Sequence, residues 1–310
     1  MPFSQRSNPG VSSGPSRYPG TFLLAFREAL AEMKWQTQRW MGDAVECLDE
    51  TGEEHVVGLE NLYRRARREP RETWPALITD FLKRIHEAEK AANLDVKLAD
   101  VADQLMLRLG PSMAMVANKM KVWSRPLEGT SLFINLVVDQ PDTMSYVTEE
   151  MVNSSERSPD EWFDAAVANL RKRTKPDILE VVHAESGLSL CSTGDAYDAT
   201  RALILNDLKP DLPEPGCLVA IPSRDELLVL PLTAQALPHV HLLSLLAEKN
   251  YRSAPYSVSD KVYWVRQNRW LIFPMHVRGE EIVVKPPAEF LSYFPKPADD
   301  PEPEELSNDS

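Results

Sequence analysis

Glycine is scarce in this sequence, with 12 residues in 310 against 25 prolines. Few positions can therefore form glycine-built phosphate loops. The chain contains no Walker loop, G-x-G-x-x-G, G-x-S-x-G, H-E-x-x-H or EF-hand loop. Those absences exclude enzyme classes whose chemistry rides on a local motif, and leave open any site assembled from distant segments. Cysteine is rarer still. Cys47, Cys191 and Cys217 are an odd, widely spaced set without a CxxC pair, which excludes a disulfide framework and a zinc ribbon. They read as small apolar residues on strands, in a reducing compartment.

Long apolar runs are lacking too. The longest, Leu227–Leu232, has the length of a strand, and Phe22–Phe26 is too short for the core of a signal peptide. The expectation is a cytoplasmic protein with no export signal and no membrane association. Base is in deficit: the formal charge is −13, of which Asp299, Asp300, Glu302, Glu304, Glu305 and Asp309 supply six and leave about −7 elsewhere. An acidic body argues against general nucleic-acid binding, which needs an excess of Lys and Arg to neutralise phosphates.

What is present is an ordinary globular composition, 43% hydrophobic and 26% charged, long enough to bury a large core. Residues 1–20 are rich in Ser, Pro and Gly and predict a disordered arm, and residues 298–310 predict an acidic disordered tail. Residues 21–297 form the expected globular unit, as one body or as two lobes of about 21–125 and 126–297. Its apolar periodicity predicts helices over 21–35, 61–68 and 74–90, with a hairpin of 44–48 and 55–59 between the first two. Helical spacing continues through 94–109 until Gly110-Pro111 stops it. The run Leu132–Val138 predicts a central strand. Ser158-Pro159-Asp160-Glu161 is a capping-box start for the next helix. Three strand pairs follow, at 178–183 with 188–191, 217–221 with 227–230, and 261–266 with 269–273, and then a strand at 281–285. Helices over 196–208 and 239–249 interrupt them. Short connections force antiparallel pairing, so the fold class is α+β, with antiparallel hairpins or a meander packed against several helices.

One cluster could carry chemistry. On a helix over 196–208, Asp198 and Arg201 share a face, with Asp195 at its N-terminus. The turn holding Arg224 and Asp225 could join them. Carboxylates beside guanidinium groups could hold a metal, or clamp a phosphate or carboxylate ligand. The simpler account is a capped helix bridged to a hairpin turn by ion pairs. His183 ends a strand near the Asp195 region and could join a metal site there, although a structural histidine is the simpler account; His55, His86 and His276 have no evident partners, and no metal or cofactor is assigned. Arg64, Arg65, Arg67, Arg68 and Arg71, flanked by Glu60, Glu69 and Glu72, read as an exposed mixed-charge helix. On the last hairpin Val262 and Trp264 face one way and Tyr263 and Val265 the other, which favours packing on both sides.

Several phrases in order resemble the YtpQ-like family of uncharacterised bacterial proteins. They are Leu59-Glu60-Asn61-Leu62-Tyr63, Asn135–Asp139 leading to Tyr146-Val147-Thr148, Phe163–Leu170, Asp195–Arg201, and Val219–Leu227. The resemblance spans about residues 21–285 and implies a bacterial cytosolic α+β protein. It brings no catalytic residue with it. Strands and apolar faces dominate the chain, so the expected role is a non-catalytic adaptor or ligand-binding protein, with a protein partner as one ligand class. The alternative is a hydrolase-like enzyme acting on an anionic small molecule through the Asp/Arg cluster. Oligomeric state stays open.

Overall fold

A computed structural model describes residues 18–41, 44–92, 97–111, 121–140, 144–278 and 281–294. The acidic tail at 298–310 and most of the N-terminal arm lie outside these residues. The end of that arm is ordered, because Tyr18 is buried against Phe22 and Tyr63.

The first part of the chain builds its own core. Helix α1 (Gly20–Glu32) buries Phe22, Ala25, Phe26, Ala29 and Leu30, one face at helical period. It stops earlier than its apolar pattern suggests, since Lys34 takes a left-handed turn (φ 59°) into a strand. That strand, β1 (Gln36–Met41), pairs with β2 (Ala44–Leu48), which pairs with β3 (Glu54–Gly58). Alternation turns Val45 and Cys47 inward from β2, and His55 and Val57 from β3. Helices α2 (Leu59–Ala66) and α3 (Trp74–Ala92) close over this face with Leu59, Leu62, Trp74, Ile78 and Leu82.

A second core begins at Leu98. A 3-10 segment, Leu98–Gln104, leads into β4 (Leu105–Gly110). The helical spacing read through Leu109 is a junction of two periods: Leu98 and Val101 are buried helically, and Leu105, Leu107 and Leu109 alternate. Strand β4 pairs with β6 (Phe133–Asp139), which also takes β5 (Ser124–Pro126) and β7 (Met144–Tyr146) on its other side. Buried on both faces, β6 is the central strand that its apolar run predicts. A lobe boundary at 125/126 would cut this sheet.

After α4 (Glu149–Asn153) comes α5 (Pro159–Arg173), whose capping box forms as expected. Ser158 Oγ accepts from Glu161 N at 3.3 Å, and Glu161 Oε2 accepts from Ser158 N at 2.8 Å. Strands β8 (Glu180–His183) and β9 (Leu188–Cys191) form the first of the late pairs. Residues 196–208 are irregular where an α-helix was expected, with a 3-10 stretch at Ala199–Ile204 and one short turn, α6 (Leu205–Leu208). Then come β10 (Cys217–Ser223), β11 (Glu226–Pro231), α7 (Val240–Ser253), β12 (Val262–Arg266) and β13 (Arg269–Phe273). A two-stranded ladder, β14 (Met275–Arg278) with β15 (Glu281–Val284), and α8 (Ala288–Leu291) complete the described chain.

The three late pairs merge into one antiparallel sheet of six strands, ordered β13-β12-β10-β11-β9-β8. Its two faces divide the core. Cys217, Val219, Ile221, Val229, Tyr263 and Val265 pack with the β4–β6 sheet and α5. Leu218, Ala220, Leu228, Leu230, Val262, Trp264 and Phe273 pack under α7 and Phe290. The aromatic hairpin is thus sandwiched, and each fully buried side chain of this size stabilises by about 1.5–3 kcal/mol. A turn from the four-stranded sheet covers β13: Ile272 N donates to Gly129 O at 3.2 Å. Only glycine fits there, because a Cβ would lie 1.8 Å from Trp270 O.

The basic helix α2 is a joint between the two cores, where an exposed helix was expected. Arg64 Nη1 donates to Tyr251 O at 3.1 Å and Ala254 O at 2.9 Å, and also to Ser257 Oγ. Arg67 Nη2 donates to Ser253 O at 2.8 Å, and Asn61 Oδ1 accepts from Tyr256 N at 2.8 Å. These carbonyls end α7, where the helix has no internal donors left to satisfy them.

Candidate functional site

The backbone after β9 turns through Gly194 (φ 75°) and Ala196 (φ 71°), which brings Asp195 and Asp198 back onto Arg201. Arg201 Nη1 bonds Asp195 Oδ1 and Asp198 Oδ1, each at 2.8 Å, and Nη2 bonds Asp195 Oδ2 at 2.6 Å. Its Nε donates to Thr174 Oγ1 at 3.2 Å. Asp198 is fully buried and also accepts from Thr193 N, Gly194 N, Thr193 Oγ1 and Cys191 Sγ. Tyr197 N donates to Asp195 Oδ1 at 3.0 Å. Burial works to raise the Asp195 pKa, and its Arg201 hydrogen bonds outweigh that and hold the carboxyl below its ordinary value. Burial, reinforced by the Asp198 carboxylate, pushes the Cys191 thiol up to about 12. Every carboxylate oxygen of Asp195 and Asp198 has a donor, so the cluster ties the 193–201 segment together.

Arg224 and Asp225 do not join it. The backbone does: Ala199 N donates to Arg224 O at 3.1 Å. The Arg224 side chain lies over the Tyr256 ring, 3.4 Å from its centroid, with Nε 3.3 Å from Asp225 Oδ2. Among the described residues no ion pair links Arg224 or Asp225 to Asp195, Asp198 or Arg201. His183 also stays apart, with Nδ1 2.9 Å from Ser186 Oγ and its ring 4.8 Å from that of His239.

A second constellation lies in the first core, on residues that no spacing rule connects. Asp49 follows β2 and organises the hairpin turn. Its Oδ1 accepts from Thr51 N at 2.8 Å, Thr51 Oγ1 at 2.7 Å and Glu53 N at 2.9 Å. Gly52 supplies the left-handed residue this turn needs (φ 85°). With Oδ1 committed, Oδ2 faces inward, 3.3 Å from His55 Nε2 on β3 and 3.5 Å from His86 Nδ1 on α3. The three side chains are 1%, 0% and 21% exposed. Trp35 stacks on the His55 ring at 4.3 Å and 10°, and meets His86 edge-on at 5.9 Å. The Thr51 hydroxyl, against the opposing effect of burial, holds Asp49 well below the usual carboxylate range, so it is an anion.

Asp49 Oδ2 and His86 Nδ1 are buried polar atoms with no hydrogen-bond partner among the described residues. One carboxylate oxygen and two imidazole nitrogens, all within 4.8 Å of one another, are donor atoms that can hold a metal ion or a small polar ligand. His55 and His86 were expected to lack partners. The fold corrects that, because Asp49, His55 and His86 come from a turn, a strand and a helix. The available signal was phase: Asp49 follows Cys47 on the inward side of β2, and His55 shares that side on β3. The side chain of His276 lies outside the described residues.

Known relatives do not choose between the two clusters. No family model, no curated protein and no solved structure matches this chain. Among the described residues, no helix is long and apolar enough to cross a membrane.

Proposed function

We propose that this chain is a non-catalytic ligand-binding protein whose ligand sits among Asp49, His55 and His86. The observation that carries this is Asp49 Oδ2, a buried anionic oxygen whose nearest donors, the two imidazoles, stand at ion-pair range, 3.3 and 3.5 Å away. Leaving such a group unsatisfied costs about 1–3 kcal/mol, more for a charge, and a ligand that satisfies it recovers that cost. Membership of the YtpQ-like family belongs to the same reading and assigns no residue. A protein partner is the other form a binding role could take, and the edge strand β8, with Val181 and Val182 exposed, would suit one.

One feature favours the enzymatic alternative. A groove lined by Asp103, Met106, Asn169, Lys172 and Arg173 reaches the acidic cluster through Arg173, whose Nε is 3.5 Å from Asp195 Oδ2. An anionic substrate would find Lys172 there, beside an Arg173 shared with Asp139 and Asp195.

The test is a thermal-shift screen with divalent metals, nucleotides and small anionic metabolites. A ligand at a hundred times its dissociation constant adds about 2.7 kcal/mol, a shift of several degrees. The expected result is a shift that His86→Ala abolishes and Lys172→Ala retains. The reverse pattern would transfer the site to the groove, and a flat screen would overturn the proposal.

A further inference from the structure

We infer that the ligand is a divalent transition-metal ion, bound by Asp49 Oδ2, His55 Nε2 and His86 Nδ1 in a tetrahedral shell whose fourth position takes water. This rests on the reading of that cluster as the ligand site and specifies what enters it.

Distance is the first argument. A charge-assisted N–H···O bond brings its heavy atoms to about 2.7–2.9 Å. Here the oxygen stands 3.3 and 3.5 Å from the two nitrogens. Ligands on a tetrahedral ion with bonds of about 2.0–2.1 Å lie about 3.3–3.4 Å apart, the edge of that tetrahedron. The spacing lies at the long end of the hydrogen-bonding range and matches the edge of the tetrahedron around a shared ion.

Donor chemistry is the second. Two imidazoles and one carboxylate suit Zn²⁺, Co²⁺ or Ni²⁺, whereas Mg²⁺ and Ca²⁺ prefer all-oxygen shells. The support around the ligands is the third. Three hydrogen bonds on Oδ1 leave Asp49 to coordinate through Oδ2 alone, and the stacked Trp35 fixes the plane of the His55 ring. Partners of this kind orient metal ligands and sustain affinity. The more exposed His86 marks the side from which an ion enters.

The full chain, stripped with chelator, is titrated with Zn²⁺ by calorimetry and with Co²⁺ by visible absorption. The expected outcome is one ion per chain, the intense visible bands of tetrahedral Co²⁺, and no heat with Mg²⁺ or Ca²⁺. His86→Ala should weaken Zn²⁺ by roughly 100-fold or more, since it removes a ligand where loss of an outer partner already costs 10–100-fold. Asp49→Asn keeps an acceptor for the turn and should also weaken binding, with circular dichroism confirming that both variants fold. Unchanged Zn²⁺ affinity in His86→Ala, or no binding to the parent chain, overturns the inference. A thiolate charge-transfer band would place Cys47, opposite His55 in the strand register, in the shell and overturn the donor set. If a non-metal ligand shifts the parent chain but not His86→Ala while Zn²⁺ fails to bind, the metal falls and the site stands.

Discussion

Arg201→Met tests whether the Asp195–Asp198–Arg201 cluster is structural. Methionine keeps much of the apolar stem and removes the guanidinium. Bonds of 2.8, 2.8 and 2.6 Å to the two carboxylates would be lost, together with the 3.2 Å bond to Thr174 Oγ1. Asp198, at 0% exposure, would stay buried without a countercharge, while Asp195, at 23%, could recover part of its hydration. Removing one partner of a buried ion pair costs about 3–5 kcal/mol. With a urea slope of about 3 kcal/mol/M for a chain of this size, the unfolding midpoint should drop by at least about 1 M. Adding Asp198→Asn removes the stranded charge, so the double variant should lose less than the two single losses combined, by about 1–3 kcal/mol. A loss below about 1 kcal/mol for Arg201→Met alone would refute the structural account. It would also return the guanidinium to the role of ligand clamp.

Arg64→Ala should leave the Tyr251 and Ala254 carbonyls at the end of α7 with the Ser257 hydroxyl alone. Hydrogen bonds from a charged donor contribute about 1.5–3 kcal/mol, so amide exchange near Tyr251–Ala254 should accelerate while the centre of the six-stranded sheet stays protected. Equal acceleration everywhere would mean that the joint is not local. Acid should weaken the fold partly through Asp195. Its folded pKa is depressed, so its contribution is fully present above the unfolded value of about 3.9 and is lost as pH falls through the folded value. Asp195→Asn should flatten stability against pH below about 4, and an unchanged acid limb would show that other carboxylates carry it.

Much of the fold is legible wherever one period holds long enough. The hairpin β2–β3 alternates cleanly between turn residues, β12–β13 shows as two apolar runs broken by Gln267-Asn268, and α5 announces itself through Ser158 and Glu161. Strand β1 is hidden because Gln36, Thr37, Gln38 and Arg39 are polar, as an edge strand can be. Strand β4 is hidden because a 3-10 segment and a strand share an unbroken apolar run. Strand order in the six-stranded sheet is a tertiary choice, since β10 pairs with β12 across an intervening helix. The Asp195–Asp198–Arg201 contacts were visible as local spacing. Arg224 shows the limit of that method, because proximity of two turns says nothing about which way a side chain points. The Asp49–His55–His86 cluster needs three elements to assemble, and only its inward phase on the hairpin hinted at it.

Helix α7 ends on donors that lie 186 to 190 positions earlier in the chain. A fragment beginning near residue 97 would retain α7 and every strand of its sheet, yet the carbonyls of Tyr251 and Ala254 would keep only the Ser257 hydroxyl and that of Ser253 would lose its arginine. Dissecting the protein between its two cores therefore injures the later piece at a point distant from the cut. Chain synthesis runs in the favourable direction, with the capping arginines made first and waiting for the helix they finish.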